Sequence, residues 1–242
     1  MVATARDPEK LDALVATYGE TVLALPLDVT DRDAVFTTVN CGLRHFGRLD
    51  VVVSNAGYGY MGAIEEVEFD KFKSNFETNV FGALSVLQAV LPSLRSQRSG
   101  HILVVSSIGG LVSSATGGSY GATKFAIEAM AEALAAEVAP FGIKVTVIEP
   151  GSYATGFGTS KQSAPHMAQY DVVRDATDGK FNPEDAGDPK ATPAALFKLI
   201  DSDEPPIRLL LGSTPLPIIR EVYAKRLNTW ENWADVSNAA QG

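Results

Sequence analysis

The sequence predicts a doubly wound α/β fold with a mainly parallel sheet. Short apolar runs rich in β-branched residues alternate along the chain with longer segments of strong helix formers. Strands that are separated by helices pair in parallel, and the helices then cover both faces of the sheet. A chain of 242 residues can bury one sizeable core, so residues 1–242 are interpreted as a single domain.

The predicted elements follow one another from the first residues. The predicted strands cover 2–5, 21–27, 49–53, 102–105, 143–148 and 207–211. The predicted helices cover 11–19, 34–47, 69–94, 125–139, 194–200 and 218–233. Asp31 can cap the second helix and Gly47 can end it. The segment 152–190 breaks the alternation with Gly, Ser, Asp and Pro, and such a long loop in one domain is expected to be functional.

Composition excludes several classes of protein. A net charge of −9 argues against a nucleic-acid partner. No apolar run is long enough to span a membrane, and the first residues do not resemble a signal peptide. Cys41 is the only cysteine, and the three histidines lack the spacing of metal ligands, so neither a disulfide nor a metal site is expected. A cytoplasmic enzyme fits these observations.

The stretch 101–124 carries the predicted chemistry. Its strand ends just before Ser107, at the edge where open α/β sheets place their ligands. Tyr120 and Lys124 lie four residues apart, directly before the helix-forming run 125–139, and on a helix such a pair shares a face. A nearby ammonium is expected to lower the pKa of the phenol, so that Tyr120 exchanges a proton with an alcohol or a carbonyl oxygen. The Ser107 hydroxyl can hold the same oxygen by a hydrogen bond.

The sequence resembles the short-chain dehydrogenase/reductase family in one pattern of three residues. A Ser at a strand end is followed by a Tyr thirteen residues later and by a Lys one helical turn after the Tyr. The resemblance extends over nearly the whole chain and implies a Rossmann-like fold with catalytic residues Asn79, Ser107, Tyr120 and Lys124. Asn79 would support a proton relay, and Lys124 would also bind the nicotinamide ribose. Further motifs match in family order and imply that cofactor contacts come from Asp28, Val29, Asn55, Ala56, Gly57, Pro150, Gly151 and Thr155, together with Tyr120 and Lys124.

The resemblance implies hydride transfer between a nicotinamide cofactor and an alcohol or ketone. Arg6 follows the first strand, where an acidic residue would select NAD, so NADP is favoured and NAD is the alternative. The stretches SSIGGL, APFGIKVTVIEPG and PPIRLLLG are similar to bacterial reductases akin to 17β-hydroxysteroid and retinol dehydrogenases. In that branch the loop after Gly151, here 152–190, sets substrate specificity.

Four aromatic side chains and one methionine flank the cofactor motifs and suggest a bulky, apolar substrate. The residues are Tyr58, Tyr60, Met61, Tyr153 and Phe157, with Ser107 and Tyr120 as the groups that contact the reacting oxygen. Ordinary core packing explains the same residues equally well. The helix after Tyr120 is apolar on more than one face, which together with the resemblance predicts a homodimer or homotetramer.

One departure from the family pattern concerns the first residues. The family begins with a strand, a Gly-rich turn and a helix, and the sequence here resembles the family from the end of its second strand. Without that first strand, a gap of about 10 Å would separate the strand at 2–5 from the strand at 49–53. Two alternatives follow: an inactive chain that cannot hold its cofactor, and a cofactor-sensing binding protein on the same fold.

Overall fold

The structure is a computed structural model that describes residues 1–178 and 185–242. Its strands are β1 (Val2–Ala5), β2 (Leu23–Pro26), β3 (Val51–Ser54), β4 (Tyr60–Met61), β5 (Gly100–Val105), β6 (Ile143–Pro150), β7 (Gln162–Ser163) and β8 (Arg208–Leu211). Its α-helices are α1 (Asp12–Tyr18), α2 (Arg32–Phe46), α3 (Phe69–Phe76), α4 (Ala83–Gln97), α5 (Gly118–Val138), α6 (Phe157–Ser160), α7 (Asp171–Asp178), α8 (Thr192–Ile200), α9 (Pro215–Asn232) and α10 (Ala234–Ala239).

The central sheet is parallel and has the strand order β3-β5-β6-β8. Val53 pairs with Leu103, and Leu103 pairs with Thr146 in the next strand. The carboxyl ends of these strands therefore meet at one edge, where β5 leads into Ser107 and β6 leads into Gly151. This arrangement confirms the predicted α/β class with a mainly parallel sheet.

Helices bury both faces of the sheet. On one face, Leu94 of α4 and Ala131 of α5 pack with Ile102 and Val147, and none of these side chains is exposed to solvent. On the other face, Leu199 of α8 closes a smaller cluster against β5, β6 and β8. The apolar β-branched runs become buried central strands because both of their faces are covered.

Strands β1 and β2 form a parallel pair of their own. Among the described residues β1 pairs with β2 and β3 pairs with β5, and no ladder joins the two sheets. Val53 of β3 is 53% exposed although its neighbours in the sheet are buried. Helix α2 still covers β1 closely, since a Cβ added to Gly42 would lie 2.6 Å from Val2 Cγ2. The expected separation of β1 from β3 is therefore present in the structure.

Most predicted boundaries agree with the structure to within a few residues. Asp31 Oδ1 accepts a hydrogen bond from Ala34 N at 3.0 Å, and Gly47 ends α2 with a φ of 80°. The predicted helix 69–94 is divided by a π-helical segment, Glu77–Gly82, that lies between α3 and α4.

The prediction of a long loop at 152–190 is wrong in its detail. Among its described residues, this segment contains the short elements α6, β7 and α7, and β7 pairs with β4. Residues 179–184 lie outside the described residues. Every helix in 1–178 and 185–242 is too short or too polar to cross a membrane.

Candidate active site

A cavity of about 1130 Å³ opens at the carboxyl edge of the central sheet. It collects most of the predicted catalytic, nicotinamide-side and substrate residues: Asn55, Gly57, Met61, Ser107, Tyr120, Lys124, Pro150, Gly151, Tyr153, Thr155 and Phe157. The cavity is large enough for a bulky ligand beside a cofactor fragment. Its position matches the rule that ligands of open α/β sheets bind beyond the strand ends.

Ser107 and Tyr120 face the cavity from two adjoining elements. Ser107 follows β5 in an extended conformation, and its Oγ accepts a hydrogen bond from Gly109 N at 3.1 Å. Tyr120 lies in the first turn of α5 and is 9% exposed. A Cβ added to Gly109 would lie 3.3 Å from the Tyr120 ring and 3.6 Å from Ser107 Oγ, so this glycine allows the two side chains to share one corner.

Lys124 lies one helical turn after Tyr120 and is almost fully buried. Its Nζ donates a hydrogen bond to the Val105 carbonyl at 2.9 Å and lies 5.7 Å from the centroid of the Tyr120 ring. Burial lowers the pKa of Lys124 to about 8. The ammonium is therefore fixed at the end of β5, with further donors available to a ligand in the cavity.

The expected lowering of the Tyr120 pKa is not what the structure shows. Burial raises the pKa of the phenol, and the hydrogen-bond interaction with Ser107 is a smaller, opposing effect. Desolvation disfavours the phenolate more strongly than the nearby groups stabilise it. In the protein without ligands Tyr120 is thus a proton donor at neutral pH.

Asn79 lies behind the cavity wall in the π-helical segment and is fully buried. Its Oδ1 accepts from Tyr58 N at 3.0 Å, while its Nδ2 donates to Tyr58 O at 2.9 Å and to Thr123 Oγ1 at 3.0 Å. These bonds tie α5 to the loop that follows β3. Short π-helical insertions of this kind often occur at functional sites.

The residues predicted for the nicotinamide side surround one open space. Asn55 and Gly57 line it from the end of β3, and Pro150, Gly151 and Thr155 line it from the end of β6. A Cβ at Gly57 would lie 3.0 Å from Asn79 Oδ1 and 3.7 Å from Lys124 Nζ, so glycine keeps this space open beside the ammonium. The donors and the shape fit a nicotinamide riboside.

The residues predicted for the nucleotide side lie apart from the cavity lining. Asp28 and Arg6 follow β2 and β1 and are exposed. Hydrogen bonds from Thr30 lower the pKa of Asp28, and the charge of Arg6 adds a smaller effect in the same direction. Val29 packs against Gly82 of the π-helical segment. The two are so close that a Cβ added to Gly82 would lie 2.6 Å from Val29 Cγ2. Ala56 is exposed beside Asn55.

Two of the five aromatic or soft residues predicted to line a substrate pocket do not line it. Met61, Tyr153 and Phe157 face the cavity. Tyr60 is 1% exposed, and its hydroxyl accepts from Glu68 N at 3.1 Å, so it belongs to the core. Tyr58 is half-buried beside Asn79. The packing interpretation is therefore correct for these two residues.

Several residues of the site could not be found from sequence motifs. The cavity rim also includes the loop Ser113–Gly117 and Lys161. Glu66 binds Arg174 across a separation of 108 residues and has a fully buried side chain. No local pattern marks such a pair, although Gly59 and Gly62 around β4 indicate a close backbone approach. The described residues contain no group of three potential metal ligands.

Comparison with known proteins agrees with this geometry. Residues 1–166 match the family model described as short chain dehydrogenase. The oxidoreductase BOA17 of Botryotinia fuckeliana is 37% identical over 99% of this chain and 89% of its own length. Retinol dehydrogenase 8 of Bos taurus is 32% identical over 90% of this chain and 74% of its own length.

Solved structures extend the likeness to the fold. A short-chain dehydrogenase from Streptomyces avermitilis superposes with a TM-score of 0.92 at 35% identity, covering 99% of this chain and 89% of that one. An alcohol dehydrogenase from Thermococcus sibiricus in complex with 5-hydroxy-NADP has a TM-score of 0.74 at 26% identity. The match covers 88% of this chain and 86% of that one. An NAD⁺-bound xylitol dehydrogenase has a TM-score of 0.74 at 27% identity, with 87% of each chain covered. Together with the Ser107, Tyr120 and Lys124 geometry, these matches show that the chain belongs to the short-chain dehydrogenase family of oxidoreductases, which act on CH–OH and C=O groups.

Proposed function

We propose that the protein transfers a hydride between NADP(H) and a bulky, apolar alcohol or ketone. The observation that carries this proposal is the convergence of Ser107, Tyr120 and Lys124 on one corner of a large cavity. When bound, the nicotinamide supplies or accepts the hydride, and the chain handles the proton.

The proposed roles follow from the positions of the three side chains. The Ser107 hydroxyl binds the substrate oxygen and orients it towards Tyr120. The buried phenol donates its proton to that oxygen in the reduction of a ketone, and its phenolate form accepts the proton in the oxidation of an alcohol. Lys124 holds the ribose of the cofactor and stabilises negative charge that develops on the phenol. Asn79 fixes α5 against the loop after β3, and so keeps Lys124 in place.

Arg6 is the proposed selector of NADP over NAD. Its charge is a smaller effect in the lowered pKa of Asp28, after the hydrogen bonds from Thr30, which supports a guanidinium near the predicted nucleotide side. A guanidinium binds a 2′-phosphate with charge-assisted hydrogen bonds. The NADP-type ligand in the structure of the Thermococcus sibiricus relative supports this choice.

The cavity wall supports an apolar substrate. Met61 and Phe157 lie on one side, and Leu103, Leu196 and Leu211 lie on another. Apolar walls with a few polar groups at one end are typical of sites for drug-sized ligands. The similarity to retinol dehydrogenase 8 supports the same class of substrate.

The proposal is tested by NADPH consumption with two panels of carbonyl compounds. One panel contains long-chain or polycyclic ketones and aldehydes, and the other contains small charged ketones. We expect turnover with the first panel and a preference for NADPH over NADH. Turnover restricted to the small charged compounds would reject the proposed substrate class.

We also propose that the outer face of α5 forms a contact between subunits. Helix α5 packs against the π-helical segment, and Phe81 and Phe125 on these two elements are 50% and 38% exposed. A continuous apolar surface that includes both rings would mark an interaction site. We expect a dimeric or tetrameric mass in light scattering at micromolar concentration, and a strictly monomeric mass would contradict the contact.

One observation favours a second candidate, a chain that binds its cofactor only weakly. The β1–β2 pair, which carries Arg6 and leads to Asp28, forms no ladder with β3 among the described residues. A thermal melt with and without NADPH separates the candidates, because a ligand that binds the folded state raises the stability of that state, and at a fixed concentration a tighter ligand raises it more. A clear upward shift would reject the second candidate.

A further inference from the structure

A segment that we call the flap, residues 157–174, lines one side of the cavity with its first residues. It begins with α6 and contains β7, which pairs in parallel with β4 at Tyr60–Gln162 and Met61–Ser163. Two further backbone bonds extend this pairing, from Gln162 N to Gly59 O at 2.8 Å and from Ala164 N to Met61 O at 2.7 Å. The flap is therefore attached to the body by a short two-stranded sheet.

Two glycines let the flap approach the body closely. A Cβ added to Gly59 would lie 3.0 Å from Phe157 Cζ, and a Cβ added to Gly62 would lie 2.5 Å from Ala164 Cβ. Any larger residue at Gly62 would push the flap outward. The surface against which the flap packs is thus shaped to receive it.

Beyond the short sheet, Glu66 accepts three hydrogen bonds from two flap residues and a fourth from the body of the protein. Its Oε1 accepts from Met167 N at 2.7 Å, and its Oε2 accepts from Ala63 N at 2.7 Å. Arg174 Nη2 donates to both carboxylate oxygens. The Glu66 side chain is fully buried and the Arg174 side chain is 25% exposed. These bonds lower the pKa of Glu66 to about 2, so the carboxylate is charged at neutral pH.

Removal of either partner would leave a buried charge or a buried backbone donor without a partner. Such losses cost far more than the loss of an exposed ion pair. A second contact on the same side, from the Tyr170 hydroxyl to Glu65 Oε2 at 2.5 Å, is exposed and contributes less.

The flap also reaches the catalytic residues. The Phe157 ring at its start lies 5.5 Å from the Tyr120 ring, centroid to centroid, and Lys161 lines the cavity. A flap that leaves β4 would remove Phe157 from Tyr120 and open the cavity to water. The position of Glu66 therefore affects the site without a contact between Glu66 and the substrate.

We propose that Glu66 and Arg174 form a charged clasp that holds the flap closed over the substrate pocket and thereby sets the affinity for the substrate. Both are positioning residues. The effect on substrate affinity rests on the proposed function, whereas the closure of the flap does not. A flap that is closed for a smaller fraction of the time weakens the apparent affinity by that fraction.

Hydrogen exchange tests the closure without any substrate. Glu66→Gln removes the charge and replaces one acceptor oxygen with a donor, and Arg174→Gln removes the partner. We expect exchange in residues 162–174 to accelerate at least about tenfold in both variants, with a smaller change in Arg174→Lys. Arg48→Gln is the matched control, because it breaks the exposed Arg48–Asp50 pair away from the flap. Unchanged exchange in both glutamine variants would overturn the clasp.

Steady-state kinetics tests the consequence. We expect KM for the bulky ketone to rise about tenfold in Glu66→Gln and Arg174→Gln, while kcat and the Kd of NADPH change less than about twofold. The double variant should be less severe than the two single effects combined, because both changes break the Glu66–Arg174 contact. Faster exchange with an unchanged KM would overturn the role in affinity. A wild-type protein that reduces no ketone, with faster exchange in the variants, would support the clasp and contradict the proposed function.

Discussion

The central sheet and the separate β1–β2 pair differ in how firmly they fix their functional residues. On the catalytic side, β5 and β6 are buried along almost their whole length, and Lys124 and Asn79 are held by buried hydrogen bonds. On the nucleotide side, β1 and β2 are at most half-buried, and Arg6 and Asp28 lie in solvent.

This difference separates two kinds of recognition. Groups that are locked in a core can hold a reacting oxygen within the narrow limits that proton transfer requires. Exposed groups act through charge, and water and salt weaken their effect. We therefore expect variants on the catalytic side to have large effects on turnover and folding, and variants on the nucleotide side to have small effects on affinity.

The largest expected effect concerns Lys124. In Lys124→Met we expect turnover to fall at least about 100-fold, because the charge that stabilises the phenolate is lost. The melting temperature should not decrease, since the change removes a buried charge and leaves a side chain of similar length. Turnover and melting are measured on the same preparation, and near-normal turnover would show that the ammonium is not required.

A matched pair of valines tests the difference in packing. Val104 of β5 is 1% exposed and Val53 of β3 is 53% exposed. Val104→Ala should cost about 2 kcal/mol of unfolding free energy, and Val53→Ala less than about 0.5 kcal/mol. Chemical denaturation measures both values. Equal costs would mean that β3 is covered in solution by a contact that the structure does not contain.

The pH dependence of cofactor affinity sharpens the role of Lys124. Its pKa is lowered to about 8, so the ammonium is charged below that pH and loses its charge as the pH rises through it. We expect the Kd of NADPH to rise about tenfold between pH 7 and pH 9. In Lys124→Met this rise should disappear, and a rise that persists in the variant would assign the titration to another group.

The smallest expected effect concerns Arg6. Arg6→Ala should reduce the preference for NADPH over NADH about fivefold, as expected for one exposed charge pair of about 1 kcal/mol. The ratio of the two dissociation constants measures this preference. An unchanged ratio would remove Arg6 as the selector.

Much of the catalytic side could be predicted from the sequence, because its information is local. The apolar run before Ser107 predicts a buried strand, and the four-residue spacing of Tyr120 and Lys124 places both on one helix face. The structure brings these three residues to one cavity. The lack of a ladder between β1 and β3 was expected from the resemblance, because the family pattern has a further strand between them.

The remaining features depend on contacts between distant segments. Tyr60 is a core residue because Glu68 and Ser119 contact it, and nothing in its neighbourhood in sequence distinguishes it from Met61. The flap is hydrogen-bonded to Glu66, which lies about a hundred residues before Met167. The raised pKa of Tyr120 results from burial, which a motif does not reveal. Tertiary packing determines all three.

The central claim is that the Tyr120 hydroxyl transfers the proton, and that the site binds the cofactor without needing this hydroxyl. The most direct test measures turnover and the Kd of NADPH in Tyr120→Phe, with Tyr18→Phe as a control on an exposed tyrosine of α1. We predict that turnover falls about 10²–10⁴-fold in Tyr120→Phe while the Kd changes less than about twofold, and that the control behaves as wild type. Turnover in Tyr120→Phe within about threefold of wild type would contradict the claim.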